Sequence, residues 1–220
     1  MSRIVAVTGA GGALGGAVVA RLRQDGWTVV GVHHGQAPDA RSIGGVDLTD
    51  EGAVSAVGEH IRAEHGRLDG LVNVAGGFAW ETVGEGNVAT WDGMYEMNVK
   101  TALVASKGLL PLLQVQGGAI VNVGAAGAVK AGAGMGAYAA SKAGVARLTE
   151  AMAEELKEAG VRVNAVLPSI IDTGANRRDM PDADFGKWVT PEQLAAVIAF
   201  LLSDQAEAVT GALVPVTGRV

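Results

Sequence analysis

"RIVAVTGAGGALGG", residues 3–16, is the stretch that decides the fold. Its first six residues form a β-branched, apolar run that is typical of a buried strand, and Leu14, Val18 and Leu22 then recur every fourth residue, as on one face of a helix. The glycine-rich turn between them would present backbone N–H groups at a helix N-terminus to a phosphate. The stretch predicts the start of a dinucleotide-binding domain, although glycines alone are also compatible with an ordinary tight turn.

The same alternation of strand and helix continues along the chain. Six apolar runs indicate buried strands of a parallel sheet, and a seventh short strand is expected around 43–46. The runs are 3–8, 28–33, 68–75, 118–124, 161–167 and 211–216. Amphipathic helices separate them, so we predict an α/β fold: a single Rossmann-type domain over 1–220 with a doubly wound parallel sheet of about seven strands. The long irregular stretch at about 168–190 is a candidate substrate lid.

Composition narrows the classes of partner. The chain has 220 residues, a formal net charge of −6 and no basic run longer than Arg177-Arg178, so neither nucleic acid nor a membrane surface is expected as a partner. It has no cysteine, and we predict no metal site. Glycines interrupt the apolar N-terminus, which argues against a secretory signal, and no apolar run reaches the roughly 20 residues of a membrane span. We expect a soluble, cytoplasmic protein that acts on a small molecule.

The glycine-rich turn and the end of the second strand are where a dinucleotide would bind. The predicted contacts from the turn are Gly9, Gly11, Gly12, Ala13, Leu14 and Gly15. A carboxylate at the end of the second strand normally binds the ribose hydroxyls of NAD, but His33 and His34 stand there. Two imidazoles at this place favour the 2′-phosphate of NADP. The sequence is equally compatible with two solvated loop histidines that bind nothing. Asp47 and Leu48 are placed to meet the adenine, unless Asp47 caps a helix.

Tyr138 and Lys142, in "YAASK", lie one helical turn apart on the same face. A nearby ammonium stabilises a phenolate, so it lowers the pKa of a phenol toward the range in which a proton can be exchanged. The pair predicts an acid/base site for a substrate that gains negative charge. An ordinary helical tyrosine beside a surface lysine shows the same spacing.

Five motifs, in order along essentially the whole chain, resemble those of the short-chain dehydrogenase/reductase family. They are the glycine turn at 8–15, "NVAG" at 73–76, Asn98 in "MNVK", the Tyr138/Lys142 pair, and "LPSIIDT" at 167–173. The resemblance implies that Tyr138 donates a proton, that Lys142 lowers the pKa of Tyr138 and binds the nicotinamide ribose, and that Asn98 holds a water in a proton relay. The other cofactor contacts that it implies are Asn73, Ala75, Gly76, Pro168, Ile171 and Thr173.

The resemblance also implies an NAD(P)(H) cofactor and a homo-oligomer, either a dimer or a tetramer. Members of the family usually pair long helices, which here would run over about 91–113 and 138–159. The sequence does not distinguish a dimer from a tetramer.

One catalytic position departs from the family pattern. The family's serine lies thirteen residues before the tyrosine, and that residue is Ala125 here. Losing one hydrogen bond to a developing oxyanion costs about 100- to 1000-fold in rate, so a ketone reductase of this construction should be slow. Ser141 lies one turn from Tyr138 but has no catalytic role in the family.

The dihydropteridine reductase branch of the family looks similar in lacking that serine. The likeness extends to "VAGGFAWE" at 74–81 and to "LPSIIDTGANRRDMPDADFGKWVTPE" at 167–192. Such an enzyme reduces a quinonoid ring over which charge can spread, so a dedicated serine is less necessary. Phe78, Trp80, Trp188 and Ala125 would then line the substrate pocket. The alternative is that Phe78 and Trp80 pack in the core.

Three functions compete at this point. The first is an NAD(P)H-dependent oxidoreductase that transfers hydride to a small conjugated or quinonoid acceptor through Tyr138 and Lys142. The second is a carbonyl or 3-oxoacyl reductase in which substrate or water replaces the serine, and the third is a non-catalytic dinucleotide-binding sensor. Retention of tyrosine, lysine and asparagine favours an enzyme. His33 favours NADP, but dihydropteridine reductases carry an NADH-type aspartate at that position.

Overall fold

A computed structural model describes residues 2–220. They contain one sheet of seven parallel strands in the order β3-β2-β1-β4-β5-β6-β7. The strands are β1 (Ile4–Thr8), β2 (Thr28–Val32), β3 (Ser42–Ile43), β4 (Gly70–Asn73), β5 (Gly118–Val123), β6 (Val161–Pro168) and β7 (Leu213–Val216). The predicted single-domain, doubly wound α/β fold is confirmed, and the third strand is shorter than expected.

Helices cover both faces of the sheet. They are α1 (Ala13–Gln24), α2 (Glu51–His65), α3 (Val88–Tyr95), α4 (Thr101–Leu113), α5 (Gly136–Leu156), α6 (Gly174–Asp179) and α7 (Pro191–Leu202). The apolar residues of α1 and α7 share one core, and those of α2, α4 and α5 share the other. The predicted apolar face of α1 is confirmed, since Leu14, Val18 and Leu22 are all buried.

The strand order changes direction between β1 and β4. The chain leaves β1 toward β2 on one side and returns to β4 on the other side. In sheets of this kind ligands bind outside the carboxyl ends of the strands at such a switch point. The glycine turn after β1 and the "NVAG" segment that closes β4 therefore lie at the same edge.

The long helix predicted over about 91–113 contains an irregularity. A π-helical turn, Glu96–Lys100, joins α3 to α4, and Asn98 lies within it. π-Helical turns of this kind are frequently found at functional sites. The second long helix, predicted over 138–159, runs from Gly136 to Leu156 and ends in a 3₁₀ turn.

The candidate lid at 168–190 is more ordered than its composition indicates. It contains α6, and its two ends pair through a parallel bridge between Ile171 and Val189. Arg177 forms a two-pronged ion pair with Asp172, at 2.6 and 2.7 Å, and its guanidinium stacks on the ring of Phe185. Arg177 is thus paired within the segment, because the planar guanidinium favours bidentate pairing with a carboxylate.

In the part of the chain that the structure describes, residues 2–220, no helix combines the length and apolar character that a bilayer crossing requires.

Candidate active site

The glycine turn packs backbone against backbone. Gly9 has φ +64°, and a Cβ atom there would lie 2.9 Å from the Cα of Ala75. A Cβ on Gly15 would lie 2.1 Å from the carbonyl oxygen of Gly9. Only glycine fits such close approaches. Of the predicted contacts, Leu14 and Gly15 are buried beneath the turn, whereas Gly11, Gly12 and Ala13 face solvent at the start of α1, where a ligand can reach them.

Thr8 ties the two strand ends together. Thr8 is 1% exposed, and its hydroxyl accepts hydrogen bonds from the N–H groups of Val74, at 3.1 Å, and Ala75, at 3.3 Å. Thr8 thus fixes the segment after β4 against the end of β1. The only indication of this role in the sequence was that the threonine comes directly before the glycines of the motif.

On the adenosine side, His33 lies against the glycine turn. A Cβ on Gly11 would come within 3.1 Å of its Nδ1, and one on Gly31 within 3.0 Å of its Nε2. His33 is half-buried and is therefore not a freely solvated loop residue, whereas His34 is exposed.

Asp47 is exposed and is positioned by its own turn. Its Oδ1 accepts hydrogen bonds from the backbone N–H and the hydroxyl of Thr49, both at 2.8 Å, and these bonds hold the pKa of Asp47 below its usual range. The helix-capping interpretation of Asp47 is wrong, because Asp50 caps α2. Leu48 is half-buried and packs against the core.

Asn73 does not face the cofactor edge. Its side chain is 3% exposed and donates to the Oγ of Ser106 and to the Oδ1 of Asn122, both at 2.9 Å. Asn122 in turn donates to Thr149 at 2.9 Å. Asn73 belongs to a buried polar chain that links β4 and β5 to α4 and α5, because its position in the strand directs its side chain into the interior. Its predicted contact with the cofactor stays a prediction.

Tyr138 and Lys142 are on one face of α5, as their spacing predicts. Lys142 is 6% exposed, and its Nζ donates to the carbonyl of Val123 at 2.9 Å. Burial lowers the pKa of Lys142 to about 8 and raises the pKa of Tyr138 to about 12. The pKa of Tyr138 is therefore raised in the protein by itself and not lowered as predicted, because burial desolvates the phenolate.

Asn98 joins the catalytic helix to the loop after β4. Its Oδ1 accepts from Gly77 N–H at 3.0 Å, and its Nδ2 donates to Gly77 O at 3.1 Å and to Ser141 Oγ at 3.0 Å. The hydroxyl of Ser141 in turn donates to the carbonyl of Tyr138 at 2.7 Å. In this geometry the Asn98 amide holds Gly77 against α5, and the water relay that the resemblance implies stays a prediction.

The substrate side of Tyr138 is apolar. Ala125 is 4% exposed and follows β5, and the ring of Phe78 meets the Tyr138 ring edge to face at 4.9 Å. Phe78 is 59% and Trp80 62% exposed, so the core-packing alternative is wrong for both. Trp188 is 6% exposed and packs on Phe185, so it supports the 168–190 segment and offers no open ring to a substrate.

The contacts predicted after β6 lie at the same edge. Pro168 ends β6 in the interior, and Ile171 is half-buried beside Val189. Thr173 caps α6 by accepting from the N–H of Asn176 at 3.2 Å. These residues connect the sheet edge to the candidate lid.

The residues present fit a dinucleotide. The start of α1 is exposed and its N-terminal N–H groups have no side-chain cap, which suits a pyrophosphate. Gly76 is exposed, and a Cβ there would lie 2.5 Å from Asn98 Oδ1 and 3.3 Å from Lys142 Nζ. These residues form a continuous surface from the glycine turn past Ala75 and Gly76 to Lys142. The glycine turn would hold the pyrophosphate, and Lys142 would hold the nicotinamide ribose.

Comparison with known proteins gives a consistent result. The family described as enoyl-(acyl carrier protein) reductase matches residues 9–218. The 2-(S)-hydroxypropyl-CoM dehydrogenase 3 of Xanthobacter autotrophicus is 32% identical, over 99% of this chain and 96% of its own. A 3-oxoacyl-[acyl-carrier-protein] reductase of Thermotoga maritima is 29% identical, over 98% and 96%.

Among solved structures, an NADPH-bound short chain oxidoreductase of Pseudomonas aeruginosa PAO1, described as containing an atypical catalytic center, superposes with a TM-score of 0.90. It is 26% identical, over 98% of this chain and 95% of that one. None of these three proteins is named as a dihydropteridine reductase. With the Tyr138/Lys142 pair, the glycine turn and the parallel sheet in place, these matches show that the chain belongs to the short-chain dehydrogenase/reductase family of NAD(P)-dependent oxidoreductases.

Proposed function

We propose that this enzyme reduces a small conjugated or quinonoid acceptor, as dihydropteridine reductases do, and that it prefers NADPH. The observation that carries the proposal is Ala125: the position of the family's serine is buried and bears only a methyl group. Ser141 cannot replace that serine, because its hydroxyl is already bonded to Asn98 and to the backbone of Tyr138. An acceptor that spreads its charge over a ring system needs fewer oxyanion donors than a simple ketone does.

In this proposal the chain's own residues control the proton. The pKa of about 12 keeps Tyr138 protonated at neutral pH, so its hydroxyl is ready to donate to the acceptor. Lys142, still largely protonated at pH 7, provides positive charge near the phenolate that remains. The dinucleotide, when bound, supplies the hydride, and hydride and proton together complete a two-electron reduction. The ring of Phe78, against Tyr138, provides an apolar edge for a flat acceptor.

The preference for NADPH rests on His33. His33 follows β2, and its imidazole lies against the glycine turn that follows β1. The described chain has no carboxylate directly after β2. An imidazole N–H there could donate a hydrogen bond to a 2′-phosphate.

The test compares acceptors and cofactors in one experiment. Oxidation of NADH and NADPH is measured with quinonoid dihydropterin and with a simple β-keto ester, for the wild type, Tyr138→Phe and Ala125→Ser. We expect turnover of the dihydropterin that depends on Tyr138 and changes less than about twofold in Ala125→Ser. Absence of dihydropterin turnover with both cofactors would overturn the proposal.

A carbonyl or 3-oxoacyl reductase is the second candidate, favoured by the printed activities of the Xanthobacter and Thermotoga relatives. Under that function Ala125→Ser restores a missing oxyanion donor, so ketone turnover should rise about 100-fold. The Ala125→Ser variant, measured with both acceptors, therefore separates the two candidates.

We also propose a homo-oligomer paired through the α3 and α4 region. Trp91, Tyr95 and Leu103 leave apolar surface exposed on these helices, which supports an interface at this face.

A further inference from the structure

The loop that follows β4 is fastened on both sides of Phe78. On one side, the Asn98 amide forms two hydrogen bonds with the backbone of Gly77. On the other, Trp80 Nε1 donates to the carbonyl of Ala133 at 3.0 Å, and Glu81 N–H donates to the neighbouring carbonyl of residue 134 at 2.8 Å. Residues 77–81, which we call the arch, thus bridge from the π-helical turn to the segment that precedes α5, and Phe78 lies on Tyr138 between the two attachments.

Gly134 is what allows the second attachment. Its φ is +72°, and a Cβ atom there would lie 2.1 to 2.6 Å from three atoms of the Trp80 indole. Trp80 itself is 62% exposed, so core packing does not hold it. Gly132, two residues earlier, differs: a Cβ there would make only an ordinary 3.5 Å contact with the sulfur of Met135. The glycine-rich run before Tyr138 therefore contains one position with a specific steric requirement and, close by, a matched position without one.

We propose that Trp80 is a positioning residue for the reaction: seated on Gly134, it holds the arch so that Phe78 covers Tyr138 and confines the acceptor beside the phenol. The inference goes beyond the proposed function because it does not depend on which acceptor the enzyme reduces. It concerns how one exposed tryptophan controls the surroundings of the proton donor.

The ionisation of Tyr138 reports directly on this role. Burial raises the pKa of Tyr138, and Phe78 contributes part of that cover. When the arch is released, water reaches the phenol and the pKa moves toward its ordinary value near 10. A residue with only a general structural role would lower stability without this effect.

The first experiment measures that ionisation without any acceptor. The chain has two tyrosines, Tyr95 and Tyr138, so a Tyr95→Phe background leaves the catalytic one alone. Phenolate absorbance at 295 nm is compared between pH 7 and pH 10.5. With a pKa of about 12 only about 3% of the phenol is ionised at pH 10.5, and for a fully exposed phenol the value approaches about 75%. We expect Trp80→Ala to raise the ionised fraction several-fold, and an unchanged fraction would overturn the proposal.

The second experiment uses the paired glycines in the same background. Gly134→Ala should raise the ionised fraction as Trp80→Ala does, whereas Gly132→Ala should leave it unchanged. In a Trp80→Ala background, Gly134→Ala should add less than it does alone, because the clash with the indole is gone and only the strain of a side chain at φ +72° remains. Equal effects of the two glycine variants would show that the segment responds to any substitution, which would overturn the proposal.

Activity and binding complete the test. With either acceptor of the preceding section, Trp80→Ala and Gly134→Ala should lower kcat/KM about 10- to 100-fold, and Trp80→Phe should recover part of the loss because its ring still lies on Gly134. The dissociation constant of NADPH should stay within about twofold, which also verifies folding. If Trp80→Ala does not fold, Trp80→Phe and Gly134→Ala decide the outcome through the same absorbance reading.

Discussion

Replacing Lys142 with methionine should abolish turnover and stabilise the protein at neutral pH, and the stability gain should shrink as the pH rises. Lys142 is 6% exposed, and burial lowers its pKa from the ordinary 10.5 to about 8. The difference corresponds to about 3 kcal/mol, which is the free energy that the folded protein spends on a charged ammonium at this position. Methionine keeps the apolar stem and carries no charge.

The direction of the pH effect follows from proton binding. Below pH 8 the ammonium is charged in both the folded and the unfolded state, so its desolvation cost is fully present. Between pH 8 and 10.5 the unfolded chain holds a proton at Lys142 that the folded chain has lost, so the stability of the wild type rises relative to that of the variant. Above 10.5 the lysine is neutral in both states and the cost is gone.

Urea unfolding of both proteins at pH 7.5 and at pH 10 measures this effect. The difference in the free energy of unfolding between wild type and Lys142→Met should move by about 2 kcal/mol in favour of the wild type over this range. The lost hydrogen bond to Val123 shifts both measurements equally, so it does not affect the comparison. A difference that is the same at both pH values would refute the argument that burial, without a compensating anion, sets the lysine's pKa.

Two further predictions concern the glycine turn and Asn73. Gly15→Ala should destabilise the protein by about 3 kcal/mol or more, because its Cβ would lie 2.1 Å from a backbone oxygen. Gly16→Ala, whose nearest neighbour would be 4.0 Å away, should stabilise α1 by up to about 1 kcal/mol; thermal unfolding of both variants checks the contrast, and similar shifts would contradict it. Asn73→Ala should cost about 2 to 4 kcal/mol because it leaves buried partners on Ser106 and Asn122 unpaired. Calorimetric titration should find its NADPH affinity within about twofold of wild type, and a tenfold loss would show that Asn73 contacts the cofactor after all.

The regular parts of the fold were predictable because they are local. Apolar runs of strand length, separated by helical periodicity, predict a parallel α/β sheet, and the structure confirms seven strands. The Tyr138/Lys142 spacing predicts one helix face for the same reason. The π-helical turn at Asn98 was not predictable, since nothing in "MYEMNVK" distinguishes it from a continuous helix.

Site residues were harder to predict where their roles depend on distant partners. A strand-end motif places Asn73 near the cofactor edge, but the side chain turns inward to Ser106 and Asn122, which are far away in sequence. Trp188 likewise looks like a pocket aromatic, and packing against Phe185 buries it. Sequence spacing cannot show which face of a strand end is covered by later helices.

What the sequence by itself determined is the βαβ order, the glycine turn, the acid/base helix and the missing serine, because each depends on residue types at short spacing. Tertiary structure alone decided which groups are in contact: Thr8 joins β1 to β4, Asn98 holds Gly77, and Trp80 packs on Gly134. It also decided the protonation chemistry, because the pKa values of Tyr138 and Lys142 follow from burial. Burial is a property of the packed molecule, set by elements that lie far apart along the chain.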